Sequence, residues 1–228
     1  MQLAIDTSTA YAGLALVQGQ QIISELTWLC GSNHSVELSP RLLNLLAQNR
    51  TDINSIDGMI VAKGPGSFNG LRVGVSEAKG IAYSLNIPIV GISTLEATAY
   101  QFAAGGLPVC AIQNAGREEI AVAVYQRKPR KGWVRLMEEQ ISTLESLPAK
   151  IKTTAIFCGE FNEAALIRIK KLFKSRAVLP APAGLLRRAA YLAELGQIRL
   201  AAKDYDNLAT LQPLYLRRPP ITERKKPF

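Results

Sequence analysis

Hydrophobic and polar positions change period several times along the chain. Short apolar runs separated by turn residues fill Gln2–Asp6, 12–17 and 22–29, with Gly19-Gln20 between the last two, which predicts three meandering strands. Helical spacing follows at Val36, Leu42, Leu43, Leu45 and Leu46; Ser32 or Asn33 can cap it, and Pro40 suits the first turn of a helix starting near Leu38. Met59-Ile60-Val61-Ala62 reads as a strand, 73–85 as a long helix and 87–92 as a strand whose Pro88 places it near a sheet edge or at the strand's start. Ser93 with Glu96 three residues later is a capping box, opening a helix that runs to about residue 103. After Gly105-Gly106 the pattern restarts: strands at 109–113, 120–125, 134–141 and 154–158, a helix at 162–173, a short strand at 177–179 and a helix at 185–195. Each half runs three strands and then alternates helix and strand. The expectation is an α/β protein of two lobes, 1–105 and 106–228, each a mixed sheet flanked by helices, with a cleft between them.

One stretch organises the first half: Lys63-Gly64-Pro65-Gly66-Ser67-Phe68-Asn69-Gly70-Leu71-Arg72-Val73-Gly74, a glycine turn between a strand and a helix. Gly64 and Gly66 permit a sharp turn, and Ser67 or Asn69 can cap the helix. The spacing G-x-G-x-x-x-G misses the dinucleotide fingerprint by one residue, and no Lys-Ser/Thr pair follows as in a Walker A loop. The turn therefore serves packing, or its backbone N–H groups hold an anion at Gly64, Gly66 and Ser67. Asp6, Thr7 and Ser8 at the end of the first strand are the matching candidates for a phosphate or its metal ion, or else simply cap a turn.

Gly70, Gly74, Ala78 and Ala82 recur every four residues on the helix that follows, one smooth stripe that another element can approach closely. Glycine inside a helix costs about 1 kcal/mol relative to alanine, so two on one face need a packing reason. That reason is either this chain's own sheet and helices or a second subunit.

Composition narrows the function. Of 228 residues 48% are hydrophobic, and no apolar run reaches the roughly 18 residues of a membrane span. Cys30, Cys110 and Cys158 lie far apart with no C-x-x-C pair, and the start shows no basic region before an apolar stretch; a cytoplasmic protein with reduced cysteines is expected. His34 is the single histidine, so no two-histidine metal site exists and no metal is expected. The net charge of +9 is uneven: residues 1–107 carry −2 and 108–228 carry +11, with Arg217, Arg218, Arg224, Lys225 and Lys226 near the end. A basic second lobe is compatible with RNA phosphates or with ordinary solvation.

Ala4-Ile5-Asp6-Thr7-Ser8-Thr9, Asn33-His34-Ser35, the stretch Gly64 to Gly74 and Pro213-Leu214-Tyr215-Leu216-Arg217 together resemble the TsaB (YeaZ) family of tRNA threonylcarbamoyladenosine biosynthesis proteins, over nearly the whole length. The resemblance implies two RNase H-like lobes of the actin-like, sugar-kinase-like ATPase fold. It implies a non-catalytic relative of TsaD, which transfers threonylcarbamoyl to the adenosine next to the anticodon in tRNAs reading codons that start with A. It further implies binding of TsaD through the first lobe, a TsaE-like ATPase in the same complex, a homodimer when the chain is alone, and tRNA reached through the complex. ATP is used by the wider complex, and no cofactor of this chain is expected. Two helices build the family's contact with TsaD; carried to this sequence they offer Leu38, Leu42 and Leu45 from the first and Gly70, Arg72, Val73, Gly74, Glu77, Ala78 and Ile81 from the second. No catalytic residue is expected.

The chain departs from the family pattern at Asn69, where Thr is usual, at Gln113-Asn114-Ala115-Gly116-Arg117, where Asp-Ala-Arg is usual, and at His34-Ser35-Val36-Glu37, which has one extra residue. Three readings thus stand: a scaffold subunit, a weak nucleotide-binding ATPase or peptidase, and a tRNA-binding module of the same complex. A peptidase fits poorly, since no G-x-S-x-G setting accompanies His34.

Overall fold

The alternating pattern of the first thirty residues becomes a meander: β1 (Gln2–Asp6) pairs antiparallel with β2 (Tyr11–Gln18), and β2 with β3 (Gln21–Leu29) across a turn at Gly19. The computed structural model describes residues 1–216, so the basic residues from Arg217 onward lie outside the described residues. Helix α1 (His34–Gln48) leads to β4 (Gly58–Gly64), which adds parallel to β1. Helix α2 (Phe68–Leu85) crosses to β5 (Ile89–Ser93), and α3 (Thr94–Tyr100) leaves the first sheet. Then β6 (Val109–Gly116), β7 (Glu119–Lys128) and β8 (Gly132–Ser142) repeat the meander. The short α4 (Leu147–Lys150), β9 (Ala155–Glu160), α5 (Glu163–Phe173) and the two-residue β10 (Ala177–Val178) complete the second sheet. The chain closes with α6 (Pro182–Leu185) and α7 (Ala189–Ala201).

The sheets have the orders β3-β2-β1-β4-β5 and β8-β7-β6-β9-β10, the same topology twice. This is the doubled mixed-sheet architecture expected from the pattern. Helices α1 and α2 cover one face of the first sheet, where Leu38, Leu42, Leu45, Val75, Ala78 and Ala82 meet Leu3, Ile5, Leu14, Leu16, Met59 and Val61. Helix α3 lies against both sheets, with Leu95 and Ala99 in one cluster with Val109, Ala111, Ala123 and Tyr125. Helix α5 covers the outer face of the second sheet through Ile169 and Phe173.

The last helix differs from expectation. It begins at Ala189 rather than 185, because Leu186 and Arg188 are extended, and it packs on the free face of the first sheet. Ala189, Leu192, Ala193 and Leu195 meet Ala4, Ala15, Val17, Ile60 and Val90 there. Gly196 has no space for a side chain, since a Cβ would lie 2.4 Å from Ile60 Cγ2. A split at residue 105 separates the two sheets, but the chain after 188 returns to the first lobe. Helices α1 and α2 also start early, at His34 and Phe68, so Pro40 sits inside α1 rather than in its first turn. Ser67 and Ser93 cap α2 and α3 as their sequence positions predict, accepting from Gly70 N and Glu96 N at 3.3 Å each.

Candidate functional site

The glycine stretch is shaped by how closely three backbone segments meet. Strand β4 ends at Gly64, whose φ of +110° lies in the left-handed region that favours glycine. Ser67 N donates to Ser8 O at 2.7 Å, and Thr7 Oγ1 donates to Gly70 O at 2.7 Å. A Cβ on Gly66 would stand 2.3 Å from Ser8 O, and one on Gly70 2.1 Å from Thr7 O. From the other side Leu214 N donates to Lys63 O at 2.6 Å, and the rings of Phe68 and Tyr215 lie 5.2 Å apart. The turn after β1, the glycine turn and the segment around Leu214 thus form one knot, joining three of the four stretches that carry the family resemblance.

Of the candidate phosphate contacts, Asp6, Thr7, Ser8, Gly64, Gly66 and Ser67 do come together, but their polar atoms face one another. Asp6 is buried and its Oδ1 accepts from Ser8 N at 2.9 Å and Ser8 Oγ at 2.5 Å. Arg187, from the extended link between α6 and α7, donates its Nε to Asp6 Oδ2 at 2.5 Å and an Nη to Ser8 Oγ at 2.8 Å. The Arg187 and Asp6 side chains are 7% and 5% exposed. A nucleotide's metal ion would need that carboxylate, and a phosphate would need free N–H groups at the glycine turn. This chain uses Asp6 for its own arginine and Ser67 N for its own carbonyl, so the residues do not fit such a group. Sequence reasoning passed over Arg187; the signal was a pair of arginines interrupting the apolar segment 185–195. Beside it Arg188 pairs with Glu25, whose other oxygen accepts from Ala190 N at 2.9 Å and fixes the start of α7.

An open cleft of about 450 Å³ lies beyond Arg187, lined by Tyr11, Asn114, Glu160, Phe161 and Leu186 among others. His34 is buried, with Nε2 2.8 Å from Thr9 O, so it anchors the start of α1 to the turn after β1. Burial pushes the thiols of Cys30, Cys110 and Cys158 upward, which disfavours the thiolate a nucleophile needs.

The expected partner face needs correction. Leu38, Leu42 and Leu45 point into the core, and so do Gly70, Gly74 and Ala78. The small-residue stripe of α2 packs on β1: a Cβ on Gly74 would stand 2.2 Å from Thr7 Oγ1. These six cannot reach a partner. Arg72 is exposed, over the Phe68 ring at 5.3 Å, while Val73, Glu77 and Ile81 are half-buried between the two helices. Ser39 Oγ donates to Glu77 Oε1 at 3.1 Å and ties α1 to α2. The outward face of this pair carries large apolar side chains that the sequence pattern did not single out as a partner face: Val36, Leu43 and Tyr83 are 72%, 62% and 79% exposed. The signal was that α1 is apolar on two faces, with Val36, Pro40, Leu43 and Ala47 forming a second stripe beside Leu38, Leu42 and Leu45.

Comparison with known proteins follows the same lines. The family model of TsaD, tRNA N6-adenosine threonylcarbamoyltransferase, matches residues 28–157. The chain is 28% identical to the tRNA threonylcarbamoyladenosine biosynthesis protein TsaB of Haemophilus influenzae, over 99% of this chain and 96% of that protein. It is 32% identical to the TsaB of Escherichia coli over 58% of this chain and 57% of that protein. Among solved structures, YeaZ from Pseudomonas aeruginosa superposes with a TM-score of 0.78 at 22% identity, covering 94% of this chain and 99% of that one. Another, described as an uncharacterized protein with similarity to peptidase YEAZ from Pseudomonas aeruginosa, gives 0.81 at 23% identity over 95% and 99%. The two lobes are accordingly RNase H-like lobes of the actin-like fold, and the chain belongs to the TsaB (YeaZ) family, within the wider TsaD family whose model it matches.

Proposed function

We propose that this chain serves the synthesis of threonylcarbamoyladenosine in tRNA as a non-catalytic subunit that docks and supports a TsaD-like transferase. The observation that carries the reading is the outward face of α1 and α2, where Val36, Leu43 and Tyr83 stand exposed on two helices braced against a sheet. Exposed apolar side chains grouped on a rigid element mark an interface more often than chance exposure does. In this reading the partner lies on that face, and a second copy of the chain covers it when the partner is absent. A TsaE-like ATPase supplies nucleotide hydrolysis to the assembly, tRNA is engaged through the complex, and the work is cytoplasmic.

The absence of a chemical role is part of the proposal. Arg187 on Asp6 argues against a nucleotide–metal site, and the buried His34 and raised thiols argue against a peptidase. Among the described residues no group of three His, Cys, Asp or Glu side chains is placed to hold a metal ion, and no helix is long and apolar enough to cross a membrane.

The test is a reconstituted transfer assay. Threonylcarbamoyl transfer to unmodified tRNA by the TsaD-like counterpart is measured with and without this chain. The reading predicts transfer that needs both proteins and none from this chain alone. Transfer at an undiminished rate without the chain sinks it.

A further inference from the structure

The charges of the second lobe are sorted along its strands. Val109 pairs with both Tyr125 and Ile156, and Ala177 with Ala155, so the starts of β6, β9 and β10 lie at one end of the sheet with the tip of the β7–β8 hairpin. That end carries Arg127, Lys128, Arg130 and Lys131 on the hairpin and Lys152, Lys170, Lys171 and Lys174 around the start of β9 and the end of α5, all exposed. Acids predominate at the opposite end, beside the cleft: Glu118 and Glu119 on the β6–β7 hairpin, Glu160 at the end of β9 and Glu163 at the start of α5, with Arg117 as a cation among them. Two further acids are held in ion pairs, Glu138 by Arg135 and Glu145 by Arg168. Among the described residues none of the eight cations at the basic end is in an ion pair.

A purely structural account covers only part of this. Lys170 and Lys171 complement the carboxyl end of the α5 dipole. No helix end accounts for four cations in five residues at the hairpin tip. The hairpin tip, between β7 and β8, and the start of β9 lie two to three strand spacings apart, about 10–14 Å. At one charge per roughly 3.4 Å of axis per duplex strand, that spans on the order of three to four phosphates.

We propose that this basic end of the second lobe is a docking surface for the phosphate backbone of RNA. It reads charge and shape rather than sequence, because it offers long flexible cations. Choosing RNA over another polyanion rests on the proposed role in tRNA modification. On that reading the lobe carries the body of the tRNA, while the first lobe holds the transferase through α1 and α2.

The experiment titrates labelled unmodified tRNA with the full-length chain between 50 and 200 mM salt. The charge reversals Arg130→Glu with Lys131→Glu, and separately Lys152→Glu with Lys171→Glu, sit on exposed side chains, and equal melting temperatures confirm folding. Each pair is expected to weaken binding at least tenfold at the lower salt and to flatten the salt slope by roughly two. Binding unchanged in both pairs overturns the proposal. So does equal affinity of the wild-type chain for polyglutamate or for anionic vesicles. Co-elution with the transferase is read in parallel: its failure in the wild type counts against the docking role and leaves the tRNA titration readable.

Discussion

Arg187 closes on Asp6 across 181 positions of sequence, and the pair is sealed between the turn after β1 and the link into α7. Arg187 itself lines the open cleft, and the carboxylate at the end of β1 behind it is paired by the chain itself. Removing one partner of a buried pair leaves an uncompensated charge, which typically costs about 3–5 kcal/mol. Arg187→Met is therefore expected to destabilise the protein by about that amount in denaturant unfolding, while Asp6→Asn combined with Arg187→Met recovers much of it. A loss below about 1 kcal/mol for the single variant would show that the pair is not the seal described.

Two glycines on opposite sides of α2 predict opposite signs. Gly74 abuts Thr7, so Gly74→Ala forces the sheet and helix apart and is expected to cost about 1–3 kcal/mol. Gly80 is exposed, and a Cβ there meets nothing within 4 Å, so Gly80→Ala is expected to stabilise by about 1 kcal/mol. Thermal unfolding of the two variants decides it. Equal and small effects would mean that the stripe does not pack on β1.

How these glycines were placed shows what a linear sequence conveys. The duplicated order of strands and helices was legible, because period-2 and period-3.6 patterns survive in each segment, and so were the caps at Ser67 and Ser93. The four-residue stripe of Gly70, Gly74 and Ala78 was legible as a close contact, but its partner was not. Spacing marks a smooth face without saying whether Thr7 or another molecule lies on it. The same limit applies to Leu38, Leu42 and Leu45, where the stronger stripe is the core and the weaker one, Val36 and Leu43, is the surface face. Arg187 could not be paired with Asp6 from sequence, since the contact depends on α7 returning to the first lobe. That return follows from the fit of Ala193 and Gly196 on Ile60, not from any local signal.

Glu96 makes a pH-dependent prediction. Its half-buried carboxyl has a pKa raised above the ordinary value of 4.5, chiefly by burial, with Arg135 opposing the shift. A carboxyl that binds its proton more tightly in the folded state loses stability as pH rises from the unfolded value through the folded one. Glu96→Gln removes that loss. The variant is expected to be more stable than the wild type at pH 7 and to lose this advantage at about pH 3, where the carboxyl is protonated in both states. Melting temperatures at the two pH values test it, and an advantage of the same size at both would contradict the assignment.

The central claim is that the chain acts by docking a partner on the outward face of α1 and α2. Leu43→Glu and Tyr83→Glu change side chains that are 62% and 79% exposed, and surface changes of this kind alter stability by about 0.5 kcal/mol or less. The most direct measurement is size-exclusion chromatography of each variant mixed with the TsaD-like transferase, beside the wild type. The account predicts a joint peak for the wild type and separate elution for Tyr83→Glu and Leu43→Glu at unchanged melting temperature. Joint elution of both variants, as tight as that of the wild type, would contradict it.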